Sequence, residues 1–302
     1  MSVLFGFGAH SGIDDGPELL RLTQQADQDG LDLFSLSDHP YLGERLDAYA
    51  TVGYILGRTQ RIAGFANVTN LPTRPAPMLA RTVTSLSALS GGRVVLGMGA
   101  GGLWDRISAL GVPRLSASAA VDAFEEAIVL VKKLSGGGPP VTHHGRYYQV
   151  DEIEPAPVAA PPVWTGSVGP KSLAATGRVA DGWIPGHAAD WLSERYRTSR
   201  LIIDEAAAAV GRDPREVRTV FNFPGRITEK PLAATRDRDG RWIGGSPDQW
   251  IEELTGAVLE HDASGFMLFS PSGGTQDAVS IARWAREIVP AVREAVAVPH
   301  KA

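Results

Sequence analysis

The chain has 302 residues, 43% of them hydrophobic and 21% charged, enough for a large core in one or two domains. A net charge of −5 offers no basic field for nucleic acid and no polybasic membrane patch, and zero cysteines exclude disulfides, thiolate metal sites and thiol catalysis. The start, Met1-Ser2-Val3-Leu4, lacks the features of a signal peptide, and no stretch approaches the ~20 apolar residues of a membrane span, so a cytoplasmic location is expected.

Residues 3–9 read as a short apolar strand, and 17–29 as a helix with Leu19, Leu20, Leu22 and Ala26 turned inward. A second strand, 31–37, closes on Asp38-His39-Pro40, and a helix covers 48–58. Residues 61–69 are apolar and end in Asn67-Val68-Thr69-Asn70, a buried strand stopping at a polar turn. In 77–89, Leu79, Val83, Leu86 and Leu89 recur at helical spacing behind Pro75 and Pro77. Ser90-Gly91-Gly92 stops that helix and 93–99 is another apolar strand, which completes a right-handed βαβ unit with parallel strands.

Residues 103–118 read as an irregular loop and 119–134 as a strongly periodic helix, ended by Gly136-Gly137-Gly138-Pro139-Pro140. The proline-rich stretch 141–162, with His143, His144, Tyr147 and Tyr148, reads as an inserted surface hairpin. Then follow a strand at 163–168, a helix from Gly169 to Arg178, a short strand at 182–186, a helix at 191–210 and a strand at 217–223. A charged, irregular segment at 226–245 precedes a helix at 247–261, a strand at 265–269 and a final helix at 277–296. Eight strands alternating with helices give the pattern of a (β/α)8 TIM barrel, read as one domain over 1–302 with insertions near 103–118, 141–162 and 226–246. A doubly wound sheet is the competitor, but it usually offers fewer strands and a glycine fingerprint after the first.

Barrel chemistry gathers at the C-terminal ends of the strands. Strand two ends in Ser37-Asp38-His39, where the imidazole can serve as acid, base or donor and the carboxylate can tune it; the alternative is a turn that caps the next helix. Strand three ends in amides and a hydroxyl, suited to a ring with several polar atoms or to a plain Asx turn. Strand four ends in Gly97-Met98-Gly99-Ala100-Gly101-Gly102, where a ligand can approach the backbone closely. Strand five ends in Gly166-Ser167-Val168-Gly169-Pro170-Lys171, directly before a helix, which combines bare N–H groups, a hydroxyl and a lysine into an anion site. His10 is open between core and pocket, and adjacent His143 and His144 lack metal-ligand spacing. Nucleophile elbows, phosphate-binding P-loops and strand-end lysines for a Schiff base are absent, so a bound cofactor is expected to carry the reaction.

The order Ser37-Asp38-His39, Asn67-Val68-Thr69-Asn70, Leu89-Ser90-Gly91-Gly92-Arg93, Gly97-x-Gly99-x-Gly101, Gly166-x-x-Gly169-Pro170 and Ala180-Asp181-Gly182-Trp183 resembles the luciferase-like flavin-dependent oxidoreductases, most of all the branch that uses the deazaflavin F420. The resemblance covers residues 3–288 and implies hydride transfer between F420 and a small organic substrate. It implies His39 beside the deazaflavin ring, a non-prolyl cis peptide at Asn67-Val68 with Thr69 behind that ring, and Gly99, Gly101 and Gly102 near it. It further implies Gly166, Ser167, Val168, Gly169, Pro170 and Lys171 around the cofactor phosphate. Many deazaflavin members carry a glutamate shortly after strand four; here Leu103-Trp104-Asp105 stands there, so Asp105 joins His39 and Asp38 as a catalytic candidate. That departure keeps FMN-dependent monooxygenation as the alternative, beside a non-catalytic flavin-binding relative and a phosphosugar isomerase or lyase. The partner expected is a small-molecule substrate, with a homodimer as one option, and neither nucleic acid, membrane nor metal.

Overall fold

Parallel strands covered on both faces must be apolar throughout, and the four residues Leu33–Leu36 are all buried. The computed structural model describes residues 3–186, 190–272 and 277–297. Its barrel strands are β1 (Leu4–Ala9), β2 (Leu33–Leu36), β3 (Ala63–Ala66), β4 (Thr69–Asn70), β5 (Leu96–Gly99), β6 (Val163–Thr165), β7 (Gly182–Trp183), β8 (Arg218–Pro224) and β9 (Gly265–Phe269). All pair in parallel, in the order β3-β2-β1-β9-β8-β7-β6-β5-β4. Segments β3 and β4 share one strand position: β3 pairs with β2, β4 pairs with β5, and a parallel bridge from Gly64 to Val94 completes the ring. The expected eight-position barrel is present, and the Asn67-Val68 peptide at the division of strand three is cis.

The helices outside the barrel are α1 (Gly16–Gln28), α2 (Ala48–Leu56), α3 (Ala76–Ser90), α4 (Trp104–Ala109), α5 (Ala117–Lys133), α6 (Pro170–Val179), α7 (Glu194–Ala209) and α8 (Pro247–His261). The period-two alternation of each strand sorts side chains into two cores. Leu33, Phe65, Val95, Trp164, Ile184, Val220 and Met267 fill the lumen, while Phe34, Phe221 and Phe266 turn outward to the helices. Asp27 of α1 accepts the N–H groups of Gln60, Arg61 and Ile62 at 2.7–2.8 Å, which fixes the chain as it enters β3. Burial opposes that charge, but the three donors hold the carboxyl below its ordinary range.

Three stretches differ from expectation. Residues 103–118 are not wholly irregular, because Leu103 takes a left-handed conformation (φ 49°) and α4 begins behind it; six residues are too few to show a period. The segment 226–245 is pinned by a parallel pair of two-residue strands, Arg226–Ile227 and Gly244–Gly245. The final helix runs as Ala278–Arg283, a π turn at Trp284–Ile288, and Val289–Ala297. The inserted hairpin is present as antiparallel Val141–His144 and Gln149–Ile153, anchored on α5 by Glu126, which accepts the N–H groups of Arg146, Tyr147 and Tyr148. Among the described residues, no helix is long and apolar enough to cross a membrane.

Candidate active site

The C-terminal ends of β2, β4, β5 and β6 surround a cavity of about 330 Å3. Asp38, His39, Asn67, Val68, Thr69, Gly99, Gly101, Gly102 and Gly166 all line it, joined by Tyr41 and Asn70. The sequence motifs, scattered over more than a hundred residues, thus meet at one mouth. A second cavity, about 290 Å3, lies against β1, β2 and β8, and His39 and Asn67 belong to the walls of both.

His39 is half-buried, and its Nδ1 lies 2.7 Å from the Tyr41 hydroxyl, with the ring centroids 5.5 Å apart. No described residue hydrogen-bonds its Nε2. Burial, then the positive charge of Arg45, lowers its pKa from the ordinary 6.5, so the neutral imidazole is favoured near pH 7. Burial, followed by the Asp38 charge, raises the pKa of the Tyr41 hydroxyl. Asp38 is committed elsewhere: Oδ2 accepts the Asn70 N–H at 2.9 Å and Arg74 Nε at 2.8 Å, and Oδ1 accepts Arg74 Nη2 at 2.7 Å. Arg74 also reaches Asp47 at 2.7 Å and stacks over the Tyr49 ring at 4.8 Å.

Asn67 Nδ2 donates to Asn222 Oδ1 at 2.9 Å and to Ser35 Oγ at 3.3 Å. Thr69 Oγ1 and the Tyr49 hydroxyl are 2.6 Å apart and both buried. Asn70 Oδ1 is a buried acceptor that meets no donor. Val68 explains two of the glycines. A β-carbon at Gly99 would stand 2.8 Å from Val68 Cγ2, and one at Gly166 would stand 3.0 Å from it. Those positions are bare beside the protein's own isopropyl group, and both also line the cavity. Gly101 has φ 98°, and a β-carbon at Gly102 would meet nothing within 4 Å, so Gly102 is the backbone left open to the cavity.

At the end of β6, Ser167 is buried; its carbonyl accepts the Trp183 indole N–H and its Oγ accepts Thr176 Oγ1, each at 2.9 Å. Val168 is exposed. Gly169 donates its N–H to Ser172 Oγ at 3.3 Å, Pro170 opens α6, and a β-carbon on Gly169 would meet only Ser172 Oγ, at 3.9 Å. Lys171 is turned onto α5, where Nζ meets the Ser118 carbonyl at 3.1 Å, Ser118 Oγ at 2.7 Å and the Asp122 carboxylate. Asp105 is exposed on α4 and pairs with Arg114 at 2.8 Å. Neither Lys171 nor Asp105 lines either mouth cavity. Both are charged ends of long or exposed side chains, and the nearest opposite charge decides where they rest.

Sequence reasoning passed over Tyr41, Arg45, Arg74 and Asn222. For Asn222 there was a signal, an amide inside the apolar run Val217–Phe223 of a buried strand. A larger cavity, about 570 Å3, is lined by Phe223 and Pro224 at the end of β8, by the segment 225–243 with Trp242, and by Pro271 beyond β9. Its described lining residues include none of the strand-end motif residues that line the smaller cavity at the ends of β2, β4, β5 and β6.

The sequence model of luciferase-like monooxygenases matches residues 1–287. An F420-dependent glucose-6-phosphate dehydrogenase of Microbacterium testaceum is 30% identical over 227 residues, covering 72% of this chain and 66% of that protein. An F420-dependent hydroxymycolic acid dehydrogenase of Mycobacterium tuberculosis is 29% identical, covering 76% of this chain and 65% of that one. The match therefore spans slightly less than two thirds of each relative. Among solved structures, an F420-dependent secondary alcohol dehydrogenase in complex with an F420-acetone adduct superposes with a TM-score of 0.79 over 97% of this chain and 99% of that one; at 18% identity this is a likeness of fold.

Proposed function

Because the chain belongs to the luciferase-like monooxygenase family, we propose that it is an oxidoreductase that transfers a hydride between the deazaflavin F420 and a small organic substrate. The observation that carries this reading is His39: a half-buried imidazole held neutral, with Nδ1 fixed on Tyr41 and Nε2 unclaimed at the mouth. A proton-handling group of that kind, with bare backbone opposite it, suits a reaction whose redox chemistry is supplied by a bound cofactor.

The residues fit such a group. Among the described residues Asn70 Oδ1 is a buried acceptor without a donor, a β-carbon at Gly102 would meet nothing within 4 Å, and one at Gly169 would meet only Ser172 Oγ, at 3.9 Å. Residues 67–70 and 99–102 would hold the ring, and Gly166 to Pro170, at the N-terminus of α6, would hold the phosphate against the helix dipole. Lys171 serves as a tie between α6 and α5, since its ammonium is already partnered. When bound, the deazaflavin gives or takes the hydride. The chain's own task is to handle the proton that accompanies it.

Tyr41 fixes the rotation of the His39 ring through Nδ1 and so aims Nε2. The neutral imidazole takes a proton from a substrate hydroxyl at Nε2 in the oxidising direction, and the imidazolium returns it to the substrate oxygen in the reducing direction. Burial, and after it the Arg45 charge, disfavours the imidazolium, which favours its release of the proton. Asp38 supports this arrangement by pinning the Asn70 backbone.

Titration of the purified protein with F420 and with FMN, followed by fluorescence, tests the assignment. Saturable F420 binding with FMN at least tenfold weaker is expected. Tighter binding of FMN would replace this reading by FMN-dependent monooxygenation.

A further inference from the structure

The second mouth cavity, about 290 Å3 across the His39–Asn67 wall, has Arg45 as the one Lys, Arg, Asp or Glu among its described lining residues. Arg45 reaches it with Nε buried and unmet by any acceptor, and among the described residues no carboxylate lies within ion-pair distance of its guanidinium. Ser35 Oγ and Asn222 Oδ1 each accept from Asn67 Nδ2, and the Ser35 O–H and the Asn222 Nδ2 remain able to donate. The Ser37 hydroxyl completes the wall. A buried guanidinium N–H without an acceptor is costly, and none of the described residues that line the cavity is a carboxylate that could neutralise the charge. After burial, the Arg45 charge is the next cause that lowers the His39 pKa, which places the guanidinium near that ring.

We propose that this cavity takes the anionic group of the substrate, a carboxylate or a phosphate, with Arg45 as counter-charge and Ser35, Ser37 and Asn222 as hydrogen-bond donors. The placement rests on the reading of the neighbouring cavity as the cofactor's. An anion seated on Arg45 leaves the rest of the substrate at the shared wall, beside His39 Nε2. Arg45 is then a specificity-determining residue, and neutral analogues of the substrate are disfavoured because they leave its guanidinium unmet.

Calorimetric titrations with inorganic phosphate, acetate and acetamide test this, on wild type and on Arg45→Met and Arg45→Lys, each with and without saturating F420. At least one of the two anions is expected to bind wild type at least tenfold more tightly than acetamide, and the stronger anion names the class. Arg45→Met should weaken that anion at least tenfold. Arg45→Lys should stay within about threefold, which separates loss of charge from damage to the fold. Binding should persist with F420 present. Equal anion affinity in wild type and Arg45→Met overturns the proposal, and so does displacement of the anion by F420, which would make the cavity part of the cofactor's site. Arg45-dependent anion binding in a protein that fails to take F420 supports the anion site and overturns only the cofactor assignment.

Discussion

Arg74 grips Asp38 at two points, Nε at 2.8 Å and Nη2 at 2.7 Å, and Asp38's side chain is 1% exposed. The carboxylate beside the candidate catalytic histidine is therefore an anchor. It joins the β2 end, the Asn70 backbone and, through Arg74, the Asp47 cap of α2. Fork-on-carboxylate contacts of this kind fix geometry as well as energy.

Removing Arg74 leaves a buried carboxylate without its counter-charge. Arg74→Met is expected to lower stability by about 3–5 kcal/mol in denaturant unfolding. Asp38→Asn should lower turnover far less than removal of His39 does. A tenfold or greater loss of turnover in folded Asp38→Asn would return Asp38 to the chemistry.

His39→Ala should leave F420 affinity within a few fold and lower turnover by about 10²–10⁴-fold, the usual worth of a positioned acid or base. Tyr41→Phe keeps the ring but loses the Nδ1 contact, so a smaller loss is expected. Melting temperature and single-turnover rate measured on one preparation separate catalysis from folding. A wild-type rate in His39→Ala would make the histidine structural.

The same residue sets a pH dependence. Its folded pKa lies below 6.5, first through burial and then through Arg45, so the native state binds its proton less readily than the unfolded chain does. Its contribution to stability is present above pH 6.5 and is lost as pH falls through the folded value. In the oxidising direction, turnover should fall along the same acid limb, because the base is protonated. His39→Gln should flatten that limb in both measurements.

Two glycines at the end of β6 should answer substitution in opposite ways. At Gly169 a β-carbon meets nothing closer than 3.9 Å, so Gly169→Phe should keep the melting temperature while weakening F420 at least tenfold, about 1.4 kcal/mol. At Gly166 a β-carbon presses on Val68, so Gly166→Ala should destabilise the protein by about 1–3 kcal/mol before any ligand is added. Thermal melts and fluorescence titrations of the two variants distinguish these outcomes. Unchanged F420 affinity in Gly169→Phe would move the phosphate elsewhere.

What could be read without coordinates was whatever the chain repeats locally. Alternating apolar runs and helical periods mark the barrel, and position at a strand end marks His39 and Asn67. What could not be read depends on partners distant in sequence. That Gly99 and Gly166 also make room for Val68 shows only once the three positions are brought together. Against burial and Arg45, which lower the His39 pKa, Asp38 still raises it, but its bonds to Arg74, which arrives from another loop, could not be read locally. Lys171 and Asp105 carry the right charges, but Asp122 and Arg114 draw them away from the mouth. Arg45 sits in a stretch without period, and its importance lies in having no counter-charge, which no local pattern records.

The divided third strand has a consequence for how the barrel stays shut. The hoop of parallel pairings changes hands between β3 and β4, from β2 on one side to β5 on the other. The residues at that clasp are also the cavity wall, so whatever fills the mouth leans on the joint that closes the ring. A ligand seated there is expected to steady that joint as well as fill the mouth. Saturating F420 at 100 times its Kd should add about 2.7 kcal/mol, and its protection against amide exchange should be greatest in β4 and β5 and weakest in the hairpin at Val141–His144, which stands outside the hoop.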